Sequence, residues 1–253
     1  MLLIMRNLCR NIVVGSGVSS TSFIIYYLSL IIYYLIVPVA PVTAQPLMRD
    51  VFAAMPDSVL PMVTKNNRLD CIDFIENNME ARVRNKVDEY VTLEALTPDY
   101  ARFRTSAVAV LEMKLLPARV SATAPAPSPA DSSASSPFIL CVVTTVQVGE
   151  ENTSRRLEDS TIRFYHTDWM PLNNIVFSAP SLEAYFTTMS PETDAARRAL
   201  GSFSPIKLQL SPEHNTLTAT MQTAALSADE REAIREVLKP IVMQWNGESF
   251  VQE

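Results

Sequence analysis

Proton-transfer chemistry near neutral pH most often uses histidine, and the chain has only two. His166 stands in Phe164-Tyr165-His166-Thr167-Asp168-Trp169, on the apolar side of an alternating segment. Residues two apart on a strand share a face, so His166 and Asp168 could act as a base and its orienting carboxylate. No nucleophile motif accompanies them, and a structural histidine at a strand end is the favoured reading. His214 falls in the turn Pro212-Glu213-His214-Asn215, where turn polarity accounts for it. Trp169 and Trp245 each close an alternating segment beside turn residues. An open indole there would stack on a sugar or an apolar ligand, but such residues more often lock a sheet edge into the core.

Metal and nucleotide chemistry lack a signature. HExxH, CxxC and EF-hand spacings do not occur. Asp70, Asp73, Glu76 and Glu80, with Asn77, make an acidic helix face. A solvated face is the ordinary reading, and weak calcium binding is the sharper one. GxSxG and GxxxxGK[ST] are absent, and only five glycines are present to bring backbone close to a phosphate. No metal and no cofactor are expected. A triad assembled from distant residues stays open, so the reading leans away from an enzyme without closing that class.

Charge narrows the partners. Residues 1–44 hold two arginines, Arg6 and Arg10, and no acid. Removing them takes the 21 basic residues to 19 against 27 acidic ones, a charge of −8. An acidic chain without a basic cluster is a poor partner for nucleic acid or for anionic lipid. Those first 44 residues read as a targeting segment. Arg6 and Arg10 form a basic start, Phe23–Val37 an apolar run, and Val42 and Ala44 the small residues of a cleavage site before Gln45. An uncleaved anchor is the alternative, with membrane contact only through residues 23–37. Both place residues 45–253 outside the cytoplasm. Cys71 and Cys141 then lie where a disulfide is permitted, but both sit in apolar patterns that suit buried free thiols.

The elements that must position these residues follow from periodicity. Residues 46–80 read as helices: one carrying Leu47, Val51, Ala54 and Met55, a short element over 58–63, and one capped by Asn67 that buries Cys71, Ile72, Ile75 and Met79. Residues 87–116 alternate as successive antiparallel strands, with Tyr100, Arg102 and Arg104 on one side of one of them. Residues 117–137 are a Pro/Ala/Ser tract with nothing to bury, read as a disordered loop between two strands of one sheet. Phe138–Val148 is a strand apolar on both faces, hence central. Residues 149–160 read as a loop and 161–170 as a strand. Ser181–Met189 is a short amphipathic element, and Ser190-Pro191 starts a helix that Gly201 stops. Two hairpins, 206–221 and 241–251, flank a helix with a Ser227/Glu230 capping box that buries Ile234, Val237 and Leu238. The sum is a single α+β domain over 45–253, with a mainly antiparallel sheet, helices packed on it and a helical N-terminal part.

Met55-Pro56-Asp57-Ser58-Val59-Leu60-Pro61, Thr64-Lys65-Asn66-Asn67-Arg68-Leu69-Asp70, Leu111–Pro117, Phe164–Leu172, and Leu238-Lys239-Pro240 with Trp245 together resemble one family. It is the domain of unknown function 3256, found in exported proteins of Bacteroides-type bacteria. The resemblance spans roughly residues 48–251 and implies a Gram-negative envelope setting, periplasmic or outer-membrane associated. The family has no assigned activity, so it lends no functional residue. That setting also implies O-glycans at Asp-Ser/Thr motifs; Asp57-Ser58-Val59 and Asp159-Ser160-Thr161 fit, with Ser160 preferred because it falls in the expected loop. The resulting expectation is a non-catalytic module that binds an envelope ligand or protein through its sheet or a cleft beside it. The alternatives are a hydrolase near His166 and Asp168, and a membrane-anchored structural or assembly factor.

Overall fold

Alternation of apolar and polar residues from Arg82 to Tyr165 builds one six-stranded antiparallel sheet in strict sequence order. Its strands are β1 (Arg82–Arg84), β2 (Tyr90–Leu96), β3 (Tyr100–Ser106), β4 (Ala109–Pro117), β5 (Phe138–Val148) and β6 (Leu157–Tyr165). The computed structural model describes residues 46–119, 137–149, 156–188, 190–201 and 205–252. The expected targeting segment and most of the Pro/Ala/Ser tract lie outside the described residues. The two strands flanking that tract, β4 and β5, pair along nine residue positions, from Ala109↔Val146 to Pro117↔Phe138.

A second sheet of four strands follows: β7 (Ile206–Leu210), β8 (Thr216–Met221), β9 (Ile241–Trp245) and β10 (Phe250–Gln252), again each beside the next. The fold is α+β with mainly antiparallel sheet. One face of the large sheet packs under α1 (Met48–Ala53) and α2 (Lys65–Glu76), burying Phe52, Cys71, Ile72, Phe103, Met113 and Val142. The other face meets the small sheet, where Cys141, Val143 and Phe164 pack with Leu208, Leu217, Met243 and Trp245. α3 (Pro191–Gly201), α4 (Ala228–Ile234) and a 3-10 turn (Leu182–Tyr185) add Tyr185, Leu200 and Ile234 to that second core. β5 is therefore covered on both faces, as its composition predicts.

Several local expectations shift. α2 is capped by Thr64, not Asn67: the Thr64 hydroxyl accepts from the Asn67 N–H, and the Asn67 side chain bonds back to the Thr64 N–H (3.0 Å). Met79 is 52% exposed because α2 ends at Glu76, and Ile75 is only half-buried. Residues 58–63 are turns rather than a helix. They are held by Arg68, whose guanidinium is 1% exposed and donates to the Met55 and Val63 carbonyls and to Asp57. β6 begins at Leu157, inside the expected loop, and ends at Tyr165. α4 ends at Ile234, so Val237 and Leu238 pack half-buried from the segment after it. The Ser227/Glu230 capping box forms as expected.

Candidate functional site

The turn after β6 holds both residues of the His166–Asp168 pair. Tyr165 pairs with Pro171, the His166 N–H donates to the Met170 carbonyl (2.8 Å) and the Trp169 N–H to the His166 carbonyl (3.0 Å). His166 and Asp168 thus lie in a tight loop, not on a strand, and period-two alternation no longer puts them on one face. The Asp168 carboxylate instead accepts the Met170 N–H (3.1 Å). Among the described residues no hydrogen bond joins the His166 ring to Asp168, so base and orienter are not assembled. His214 is exposed in the β7–β8 turn.

Both tryptophans are core residues. Trp169 is 4% exposed, donates its Nε1–H to the Val51 carbonyl (2.8 Å) and lies 5.4 Å from the Tyr165 ring. Trp245 is 5% exposed, donates to the Pro117 carbonyl (2.7 Å) and packs on Phe164 and Phe250. Neither presents an open face for stacking, and each joins two distant parts of the fold. The two cysteines are free thiols in different cores. Burial pushes Cys71 up to about 12 and Cys141 well above its ordinary value, so neither supplies a thiolate. On the acidic helix face, Glu76 pairs with Arg49 (2.6 Å), and among the described residues no acid, histidine and cysteine group is arranged to hold a metal.

The two Asp-Ser motifs lie in different settings. Ser160 lies in β6, not in a loop. Its hydroxyl is 2.8 Å from Thr145 Oγ1 and accepts the Leu208 N–H (3.0 Å). Ser58 sits exposed in the turn that Arg68 holds.

What the fold does leave open is half of a sheet face. β7 crosses β4, β5 and β6, so the small sheet covers that half of the large one. β1, the first part of β2 and the later part of β3 stay uncovered on the same side among the described residues, while Ala95 at the end of β2 packs on the core between the sheets. Register brings Arg82 beside Thr92 and Thr92 beside Arg104, with Arg84 beside Tyr90 in the next row. The Arg82 guanidinium lies 3.8 Å and that of Arg84 4.6 Å from the Tyr90 ring centroid. These cation–π contacts fix two long side chains that would otherwise be free. A β-bulge at Glu94 turns its carboxylate toward Arg102 (2.7 Å) and Arg104 (2.6 Å). Arg102 continues inward to the buried Glu112, which also accepts the Tyr100 hydroxyl (2.9 Å). Burial, then the Glu112 charge, hold the Tyr100 hydroxyl well above its ordinary pKa, so it remains a donor. The result is a depression of about 530 Å³ lined by Arg82, Tyr90, Thr92, Arg104 and Ser106, with Glu80 and Glu89 at its rim. It can donate and accept many hydrogen bonds, but it holds no nucleophile–base pair.

The sequence reading noted Arg102 and Arg104 but missed β1. The alternation Arg82-Val83-Arg84 ahead of the Asn85–Asp88 turn was the available signal.

Residues 40–250 match a family described as a protein of unknown function, DUF3256. The chain belongs to that family. A solved structure, a domain of an uncharacterized protein from Porphyromonas gingivalis W83, is 28% identical with a TM-score of 0.61. The match covers 83% of this chain and all of that one. No curated protein matches. Met55–Asp70 makes the Arg68-bound turn and the α2 cap, and Phe164–Leu172 makes the Trp169 loop.

Proposed function

We propose that this is an exported cell-envelope protein that acts without catalysis and holds a ligand or partner on the uncovered β1–β3 half of its large sheet. The observation that carries the reading is the Arg82–Tyr90–Arg84 stack with Arg104 across Thr92: polar side chains pre-arranged in a depression and left exposed. Ordering them in advance lowers the entropy cost of binding. Support for a non-catalytic role is that His166, Asp168, Trp169 and Trp245, the residues suited to chemistry or stacking, are each committed to a turn or a core. Support for export is the basic start, apolar run and small-residue site of residues 1–44. An O-glycan, if attached in that setting, belongs on Ser58.

The test combines fractionation with crosslinking. A photo-crosslinking residue at Thr92, in the native host, is expected to trap a defined partner in the envelope fraction. The same residue at Thr218, on the outer face of the small sheet, serves as control. Equal yields at both positions, or a cytoplasmic chain retaining residues 1–44, would reject the proposal.

A further inference from the structure

We propose that the free edge of β6 takes up a short extended peptide segment of a partner chain as a seventh strand of the large sheet. The phase of the ladder comes first. The Phe164 carbonyl and the His166 N–H bond outward to Leu172 and Met170, so by alternation the main-chain groups of Glu158, Ser160, Ile162 and Phe164 point away from β5. One group at each end of that edge is already taken: the Glu158 N–H donates to Gln222 Oε1 (3.3 Å), and the Phe164 carbonyl accepts the Leu172 N–H (2.9 Å). Between them, Ser160 and Ile162 offer two N–H and two C=O groups with no partner among the described residues. Alternate donors and acceptors at a strand repeat are matched by another extended peptide main chain.

The neighbouring edges are closed. β1 has only three residues, and its Arg84 carbonyl accepts Asn67 Nδ2 (2.9 Å). β7 has its Leu208 and Leu210 N–H groups taken by Ser160 Oγ (3.0 Å) and Glu112 Oε2 (3.2 Å). β6, nine residues long, is left open in its middle among the described residues. The chain itself begins the missing strand, with Pro171 paired to Tyr165, and then departs at Asn173. Its departure leaves a groove of about 380 Å³ beside the edge, lined by Ile162, Phe164, Leu172, Ile175 and Phe177.

Side chains define the occupant. Asp159 and Arg163 are exposed on one side of the edge, and neither has an ion-pair partner among the described residues. Ile162 and Ile175 are half-buried on the other. The fitting segment has an acid opposite Arg163, a base opposite Asp159 and an apolar residue toward Ile175. A reversed copy of β6 satisfies the charge rule, since Asp159 and Arg163 exchange places about Thr161. A second whole chain does not fit that register, because Leu172 already occupies the position opposite Phe164 that its Glu158 would need. The occupant is therefore a short segment whose end abuts Leu172.

The probe is a labelled peptide with the sequence of residues 159–164, which stops short of the position Leu172 fills, added to the full chain. Saturable binding is expected, with slowed amide exchange at Ser160 and Ile162. N-methylation of the peptide at the amides matching Ser160 and Ile162 should weaken binding about tenfold or more. Ile175→Asp in the protein should weaken it as well. An Arg163→Asp protein should regain affinity for a peptide whose matching Asp is changed to Arg. No saturable binding below about 1 mM, equal binding of the N-methylated peptide, binding without protection of those two amides, or self-association of the chain through this edge would overturn the proposal.

Discussion

Trp169 adopts φ +70°, a region bulky side chains rarely enter. The strain is offset by what the side chain reaches: the Val51 carbonyl across the core and the Tyr165 ring. The loop is thereby bent to send Trp169 into the α1 layer, and His166 and Asp168 are carried along as turn residues. Trp169→Phe keeps much of the packing but leaves the Val51 carbonyl without that donor. It should cost about 1–2 kcal/mol in urea unfolding. His166→Ala removes a half-buried ring with no assigned bond and should change stability by no more than about 0.5 kcal/mol. A hydrolase centred on His166 would instead lose turnover with stability intact, so assay of that variant against ester and peptide substrates checks both statements.

Arg68 shows how an element can depend on one side chain. Residues 56–63 contain no helix or strand, and Arg68 ties them to the core through three acceptors, beside turn bonds within the segment and two from Lys86. Removing the guanidinium leaves the Met55 and Val63 carbonyls without it in a buried setting. Arg68→Met should destabilise by about 2–4 kcal/mol and open the 56–63 turn to limited proteolysis before the sheets. The β7 edge is held in a similar way. Glu158 bonds Lys207 (2.7 Å), Ser160 caps Leu208, and Glu112 caps Leu210. Burial pulls the Glu158 carboxyl up, but the Lys207 hydrogen bond and charge more than offset it, and the net pKa is lowered. The folded protein therefore binds this proton less readily than the unfolded chain. The stabilisation is complete above the ordinary glutamate value of about 4.3 and is lost as pH falls through the lowered one. Chemical unfolding across that window should show a slope that Glu158→Gln reduces.

At the scale of the whole molecule, the two sheets are of unequal width. Six strands meet four, and helices α1 and α2 take the far side of the larger sheet. The mismatch exposes the β1–β3 face, while the early departure of the chain at Asn173 exposes the middle of β6. A binding role would use these two surfaces differently, through side chains at the first and through main chain at the second. Intact mass of the protein from its host envelope is expected to begin at Gln45, and a glycan mass should map to the peptide containing Ser58. A glycan on Ser160 would require β6 to open, and finding one there in folded protein would contradict the placement of that hydroxyl.

The sequence by itself determined the α+β class, the family, the central position of β5, both C-terminal hairpins and the Ser227 capping box. Each of these depends on interactions close in sequence or on a repeating pattern, such as alternation over Phe138–Val148 or a three-residue spacing at a cap. Tertiary structure alone decided the candidate site. Arg82 and Arg104 are 22 positions apart and line one depression, on either side of Thr92, only because three strands align in register. Trp169 and Val51 are 118 positions apart, and nothing local in either segment marks the bond between them. Alternation allowed His166 and Asp168 one strand face, but β6 ends one residue before His166, where a left-handed backbone at Trp169 is stabilised by a distant core. Local rules hold where the deciding contacts are local, and the surfaces left open here result from how two separately patterned sheets cover one another.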